Sequence, residues 1–103
     1  MTNTPGGYYD IFMIPLIKKR SSHRIKIILG QLKGIEKMID EEKYCIDILT
    51  QSLAVQKSLA SLNRLLLENH LKTHVVHDFQ KGQEEQDKTI KELLRLYSLS
   101  EIQ

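Results

Sequence analysis

The chain has 103 residues, a formal net charge of +2 and a single cysteine. At that length it is one small domain, and its many apolar residues on few helices point to burial between subunits rather than inside a monomer. One cysteine excludes an intrachain disulfide framework and fits a reducing cytoplasm, and no apolar run approaches the roughly 18 residues needed to span a bilayer.

Met1–Gly7, with Pro5, Gly6 and Gly7, opens a tail expected to be flexible over 1–15, leaving 16–103 as the folded domain. Within it, Tyr8–Ile17 is moderately apolar but is interrupted by Asp10 and Pro15. It lacks a positive leading region and a small-residue cleavage site, so it does not read as a signal peptide. Pro15 opposes helix immediately before it and suits a first helical turn after it. A first helix is predicted from Leu16 or Ser22 to Glu41. Ile25, Ile28, Leu29, Leu32, Ile35 and Ile39 form its core-facing stripe. Gly30 and Gly34 each cost such a helix roughly 1 kcal/mol relative to Ala, and small residues at that spacing favour close approach of another helix. The same segment carries Lys18, Lys19, Arg20, His23, Arg24, Lys26, Lys33 and Lys37, whereas Glu84, Glu85, Asp87, Glu92 and Glu101 weight the end towards acid. A basic first segment suggests an anionic partner such as DNA; the alternative is a solvated helix face.

After a polar connection at Asp40–Lys43, a long second helix is predicted over Tyr44–His77, free of Pro and Gly. Ile46, Leu49, Leu53, Leu59, Leu62 and Leu66 recur on it at helical spacing. Asp78–Gly82 supplies a stop, and a third helix follows from Glu84 to Leu99 with Ile90, Leu93, Leu94 and Tyr97 on its inner side. Nothing alternates with the period of a strand. The fold class is all-α, a three-helix protomer with a long central helix.

The chemistry sits at the two ends of that central helix. Cys45 opens it; His70, His74 and His77 close it. His70 and His74, four residues apart, share a face and could bind one ion together. Cys45 precedes His70 by 25 residues, roughly 37 Å along a helix rising about 1.5 Å per residue. One chain cannot bring its thiol to its own imidazoles, but an antiparallel second copy can, and symmetry then makes two equivalent sites. A thiolate with two imidazoles suits Cu(I), which is satisfied by three ligands, and also Zn(II), which usually takes four in structural sites. Ni(II) or Co(II) would need further N or O donors, and the first 22 residues hold no histidine. His77 is either a fourth ligand or a surface residue, and His23 reads as a polar or DNA-facing residue. The rival reading makes Cys45 a small buried apolar residue and the histidines cations at a wet helix end. No nucleophile elbow, HExxH or phosphate loop is present, so nothing argues for an enzyme.

Gly30 to Leu59, GQLKGIEKMIDEEKYCIDILTQSLAVQKSL, closely resembles the copper-sensitive operon repressors, the CsoR/RcnR group. Their hallmark GQ-x-[RK]-G is Gly30-Gln31-Leu32-Lys33-Gly34, and YCIDIL-Q is Tyr44-Cys45-Ile46-Asp47-Ile48-Leu49 with Gln51. LENHLKTHVV matches the family's H-x-x-x-[CH] segment. The resemblance covers Ser22 to Val76 and, more loosely, the third helix. It implies an antiparallel dimer, a dimer-of-dimers tetramer, and repression without metal that is relieved on metal binding between protomers. Carried over by position, the ligands are Cys45, His70 and His74; the commonest copper sensors have cysteine at the last. Met13 is in register with the N-terminal histidine of the nickel/cobalt sensors, and as a soft contact it leans towards copper. Persulfide sensors of the group require two cysteines and formaldehyde sensors a proline at position 2, where this chain has Thr2. Tyr44 matches a position that supports the ligands in the copper branch.

The family has no helix-turn-helix; a broad basic face meets the phosphates and reads shape. Lys18, Lys19, Arg20, Arg24, Lys26 and Lys33 would supply it, Arg24 falling on a basic position the family uses. A second such position is Ser61 here, with Lys57 and Arg64 one turn away. The expectation is a cytoplasmic Cu(I)-responsive repressor of operator DNA. The alternatives are the same fold sensing Ni(II), Co(II) or Zn(II), or a helical interaction module with a vestigial metal site.

Overall fold

A computed structural model describes residues 12–100, so most of the expected tail, 1–11, lies outside the described residues. Helices are the regular elements among those residues, in the order α1 (Pro15–Asp40), α2 (Cys45–His70), a π-helical turn (Leu71–Val75), α3 (Val76–Phe79) and α4 (Gln83–Ser100). None is long and apolar enough to cross a membrane.

Local chemistry sets the boundaries. Ile14 is extended and Pro15 takes the first helical position, where its fixed φ fits and its missing N–H costs nothing. The Ile14 carbonyl accepts from Lys18 N–H at 2.9 Å. At the other end Glu42 adopts a left-handed φ of 52°. Its N–H donates to Ile39 O (3.0 Å) and that of Lys43 to Met38 O (2.9 Å), the paired bonds of a Schellman motif in which glycine is the usual residue. The chain then turns, and the Tyr44 carbonyl accepts from Asp47 and Ile48 N–H at 3.0 and 3.2 Å, so Tyr44 caps α2 and Cys45 is its first residue. Asp47 in the first turn complements the helix dipole.

The chain divides into two compact units. In the first, residues Met13–Glu68, α1 and α2 pack through Ile28, Val55 and Leu62, with Ile35 against them. Ile17 and Ser21 are also buried. The predicted stripes are wider than what this pair covers. Ile25, Leu29, Leu32 and Ile39 on α1 are exposed, as are Ile46, Leu49, Leu53, Leu59 and Leu66 on α2. Val55, outside the predicted stripe, is buried instead. A Cβ added at Gly30 or Gly34 would meet nothing within 4 Å, so the close approach expected there is not made within the protomer. The physical reason is simple: two helices cover one line of side chains on each other and leave the flanks of a wide stripe bare.

The second unit comprises Phe12 and 69–100 of the described residues. The second helix was expected to run unbroken to His77; α2 gives way after His70 to the π-helical turn, while the dihedrals at His70 and Val76 stay helical. Such turns insert one residue into a helix and are frequent at functional positions. Gly82, at φ 120°, ends the connection to α4 in a conformation that L side chains rarely adopt. On α4 the expected inner side is mostly bare: Leu93 is half-buried, but Ile90, Leu94 and Tyr97 are exposed. Its buried residue is Thr89, at 1% exposure.

Candidate metal centre and nucleic-acid face

Cys45 is an exposed free thiol at the first residue of α2, and His70 is the last residue of the same 26-residue helix. Tyr44, beside the thiol, is 69% exposed. Four residues beyond His70, His74 lies in the π-helical turn, and the two imidazoles stack with centroids 4.8 Å apart and planes 18° from parallel. Both rings are half-buried, as is His77. The structure thus brings His70 and His74 together and leaves Cys45 at the opposite helix end. Among the described residues of one chain, no three His, Cys, Asp or Glu side chains gather to hold a metal. By donor type, two imidazoles and a thiolate suit a soft monovalent ion.

Two residues that sequence reasoning passed over join this region. His74 Nε2 lies 3.0 Å from Asp78 Oδ2, and the Thr89 hydroxyl donates to the same oxygen at 2.8 Å. In sequence Asp78 looks like part of a helix stop; the signal that points to it is its spacing of four from His74 on one helical face. Asp78 and Thr89 are both buried. Lys81 Nζ stands 3.9 Å from Asp78 Oδ1. Beside His70, Asn69 is buried and donates from Nδ2 to the Phe12 carbonyl at 3.0 Å. A shallow groove of about 400 Å³ runs from His70 along Glu92, Leu93, Arg95, Leu96 and Leu99 of α4.

The cations of the expected DNA face ride on α1. Lys18, Lys19, Arg20, Lys26 and Lys33 are exposed, and Arg24 is half-buried with a buried Nε that has no hydrogen-bond partner. Lys18, Lys19 and Lys26 border a shallow groove of about 470 Å³ with Pro15, Ser22 and His23, so His23 sits among these cations. Met13, just ahead of α1, is half-buried.

The chain is helical throughout its regular elements, and its residues 17–98 match the model of the metal-sensitive transcriptional repressors. The chain belongs to that family, whose members are repressors and not enzymes. It is 38% identical over 80 residues to the copper-sensing transcriptional repressor CsoR of Bacillus subtilis (strain 168), covering 78% of this chain and 77% of that one. With the copper-sensing transcriptional repressor CsoR of Mycobacterium tuberculosis (strain ATCC 25618 / H37Rv) it shares 46% identity over 57 residues, 54% of this chain. The match spans about half, 48%, of the length of that mycobacterial relative. The fold is similar to the crystal structure of the copper-sensing repressor CsoR with Cu(I) from Geobacillus thermodenitrificans NG80-2. The TM-score is 0.71 at 31% identity, over 79% of this chain and 82% of that one.

Proposed function

We propose that the chain is a cytoplasmic Cu(I)-responsive repressor that holds operator DNA when metal-free and releases it on taking up Cu(I). Cys45 of one protomer and His70 and His74 of a second, antiparallel copy form the ligand set, with Tyr44, Met13 and His77 around it, and two such dimers make a tetramer. The observation that carries this reading is that the thiol opens α2 while the stacked imidazoles lie at its last residue and just beyond it. Head-to-tail pairing is the arrangement that closes the gap. The exposed leucines of α2 support it, since a face holding Leu49, Leu53 and Leu59 in water is a face that a partner covers. The copper-sensing relatives support the choice of metal.

Bound Cu(I) supplies a fixed joint between the two helix ends. The chain's own residues do the rest: the exposed lysines of α1 with Arg24 meet phosphates, and the ligand side chains hold the protomers in a shape that fits DNA poorly. Release needs only that Cu(I) bind the DNA-free form more tightly, a coupling of about 1–3 kcal/mol.

Gel shift with the upstream region of its own operon tests the reading. The metal-free chain is expected to retard the fragment at moderate salt, and one equivalent of Cu(I) to release it. Cys45→Ala should bind the same fragment and ignore Cu(I). Absence of a shift for the metal-free chain defeats the repressor assignment, and normal release by Cys45→Ala defeats the ligand set. Ni(II) outcompeting Cu(I) in buffered solution would overturn the choice of metal.

A further inference from the structure

We propose that Asp78 is a positioning residue for His74: it fixes the ring with Nε2 protonated, so that Nδ1 is the nitrogen that donates to metal, and Thr89 locks Asp78 so that the ligand is tied to α4. This deepens the proposed function and rests on His74 being a ligand.

His74 Nε2 and Asp78 Oδ2 are 3.0 Å apart. A carboxylate oxygen has no hydrogen to give, so the imidazole must be the donor, and Nε2 carries the proton. In a neutral ring the lone pair then lies on Nδ1, and a metal ligand needs that lone pair. Metal-ligating histidines generally give their other N–H to a carboxylate or carbonyl, which sets tautomer and ring orientation. Here the carboxylate is itself held. Thr89, the most buried side chain among the described residues at 1% exposure, donates to the same oxygen at 2.8 Å, and Lys81 Nζ lies 3.9 Å from the other.

The covalent path between these groups is long, but the contacts are short. His74 lies in the π-helical turn, Asp78 in α3 and Thr89 seven residues into α4. A movement of the His74 ring therefore pulls on Asp78 and, through Thr89, on α4. A surface ion pair would be too loosely held to transmit such a shift. A buried carboxylate oxygen with two short partners is held far more tightly, because each hydrogen bond lost there is one that water does not readily replace.

The test uses the full-length chain with ¹⁵N-labelled histidine, read by long-range ¹H–¹⁵N spectra without metal, and Cu(I) competition against a chromophoric chelator. In the metal-free wild type with the ring neutral, His74 is expected to show a protonated Nε2 and an unprotonated Nδ1. Asp78→Ala should let the two tautomers mix and weaken Cu(I) binding by about 10–100-fold, the range for loss of a ligand's hydrogen-bond partner. Thr89→Val, nearly the same shape, should move both readouts in the same direction by less, and it carries the test if Asp78→Ala does not fold. A reversed tautomer in the wild type, or wild-type tautomer and affinity in Asp78→Ala and Thr89→Val, overturns the proposal alone. A wild type with the expected tautomer that takes up no Cu(I) overturns the functional reading, and with it the role of Asp78 towards metal.

Discussion

Leu53→Ala separates a lone protomer from a chain built to pair. Leu53 is 58% exposed on α2, at the edge of a shallow groove it shares with Thr50, Ala54, Gln56, Lys57 and Ala60. In a monomer its truncation removes side chain that is mostly in water already, and stability should change by less than about 0.5 kcal/mol. In an antiparallel pair the remaining exposure is covered. Fully burying a leucine contributes about 1.5–3 kcal/mol, so the 58% still open corresponds to about 0.9–1.7 kcal/mol per copy. A two-fold axis counts each substitution twice, which gives about 2–3.5 kcal/mol per dimer. At about 1.4 kcal/mol per decade, the dimer should weaken and its dissociation constant rise roughly 20- to 300-fold. Sedimentation equilibrium over a dilution series measures this directly. A dissociation constant within threefold of wild type would show that this leucine does not lie in the subunit contact, and the head-to-tail geometry would have to be abandoned.

Leu62→Ala, by contrast, strikes the α1–α2 core, where Leu62 is 8% exposed beside Ile28 and Val55. It should cost about 2–5 kcal/mol in thermal or urea unfolding, and a loss below 1 kcal/mol would mean that this small core is not what holds the helix pair together. Glu42→Gly should stabilise by about 1 kcal/mol, because Glu42 holds a left-handed φ of 52° that glycine adopts without strain; a lower melting temperature would contradict that account. Arg24→Ala should weaken DNA binding alike on every sequence and reduce the salt slope by about 1, as expected for one lost phosphate contact. An unchanged slope would remove Arg24 from the DNA face.

The arrangement at Asp78 shows where reading the chain residue by residue stops. HxxxH and the distance from Cys45 to His70 are legible because helix geometry converts sequence separation directly into face and length. Asp78 belongs to that same reckoning but looks like punctuation, since a polar residue before Lys81-Gly82 is also what a helix end requires. Thr89 could not be found that way: its hydroxyl reaches Asp78 across a turn whose course depends on Gly82, eleven residues of chain for a contact of 2.8 Å.

Much of the architecture was nevertheless determined by local rules. Pro15, the Tyr44–Cys45 helix start, the stop around Gly82 and a helical period without strand alternation define the helices, apart from the break of the second one after His70. Two things lie outside what local rules convey. One is which part of each apolar stripe is buried, because the helix pair clusters Ile28, Val55 and Leu62 with Ile35 against them and leaves the flanking leucines for another surface. The other is the π-helical turn Leu71–Val75 that holds His74, since periodicity reports which face a residue occupies and is blind to one extra residue within a turn. Short-range geometry follows from the order of residues; the pairing of groups distant along the chain depends on where the folded backbone carries them.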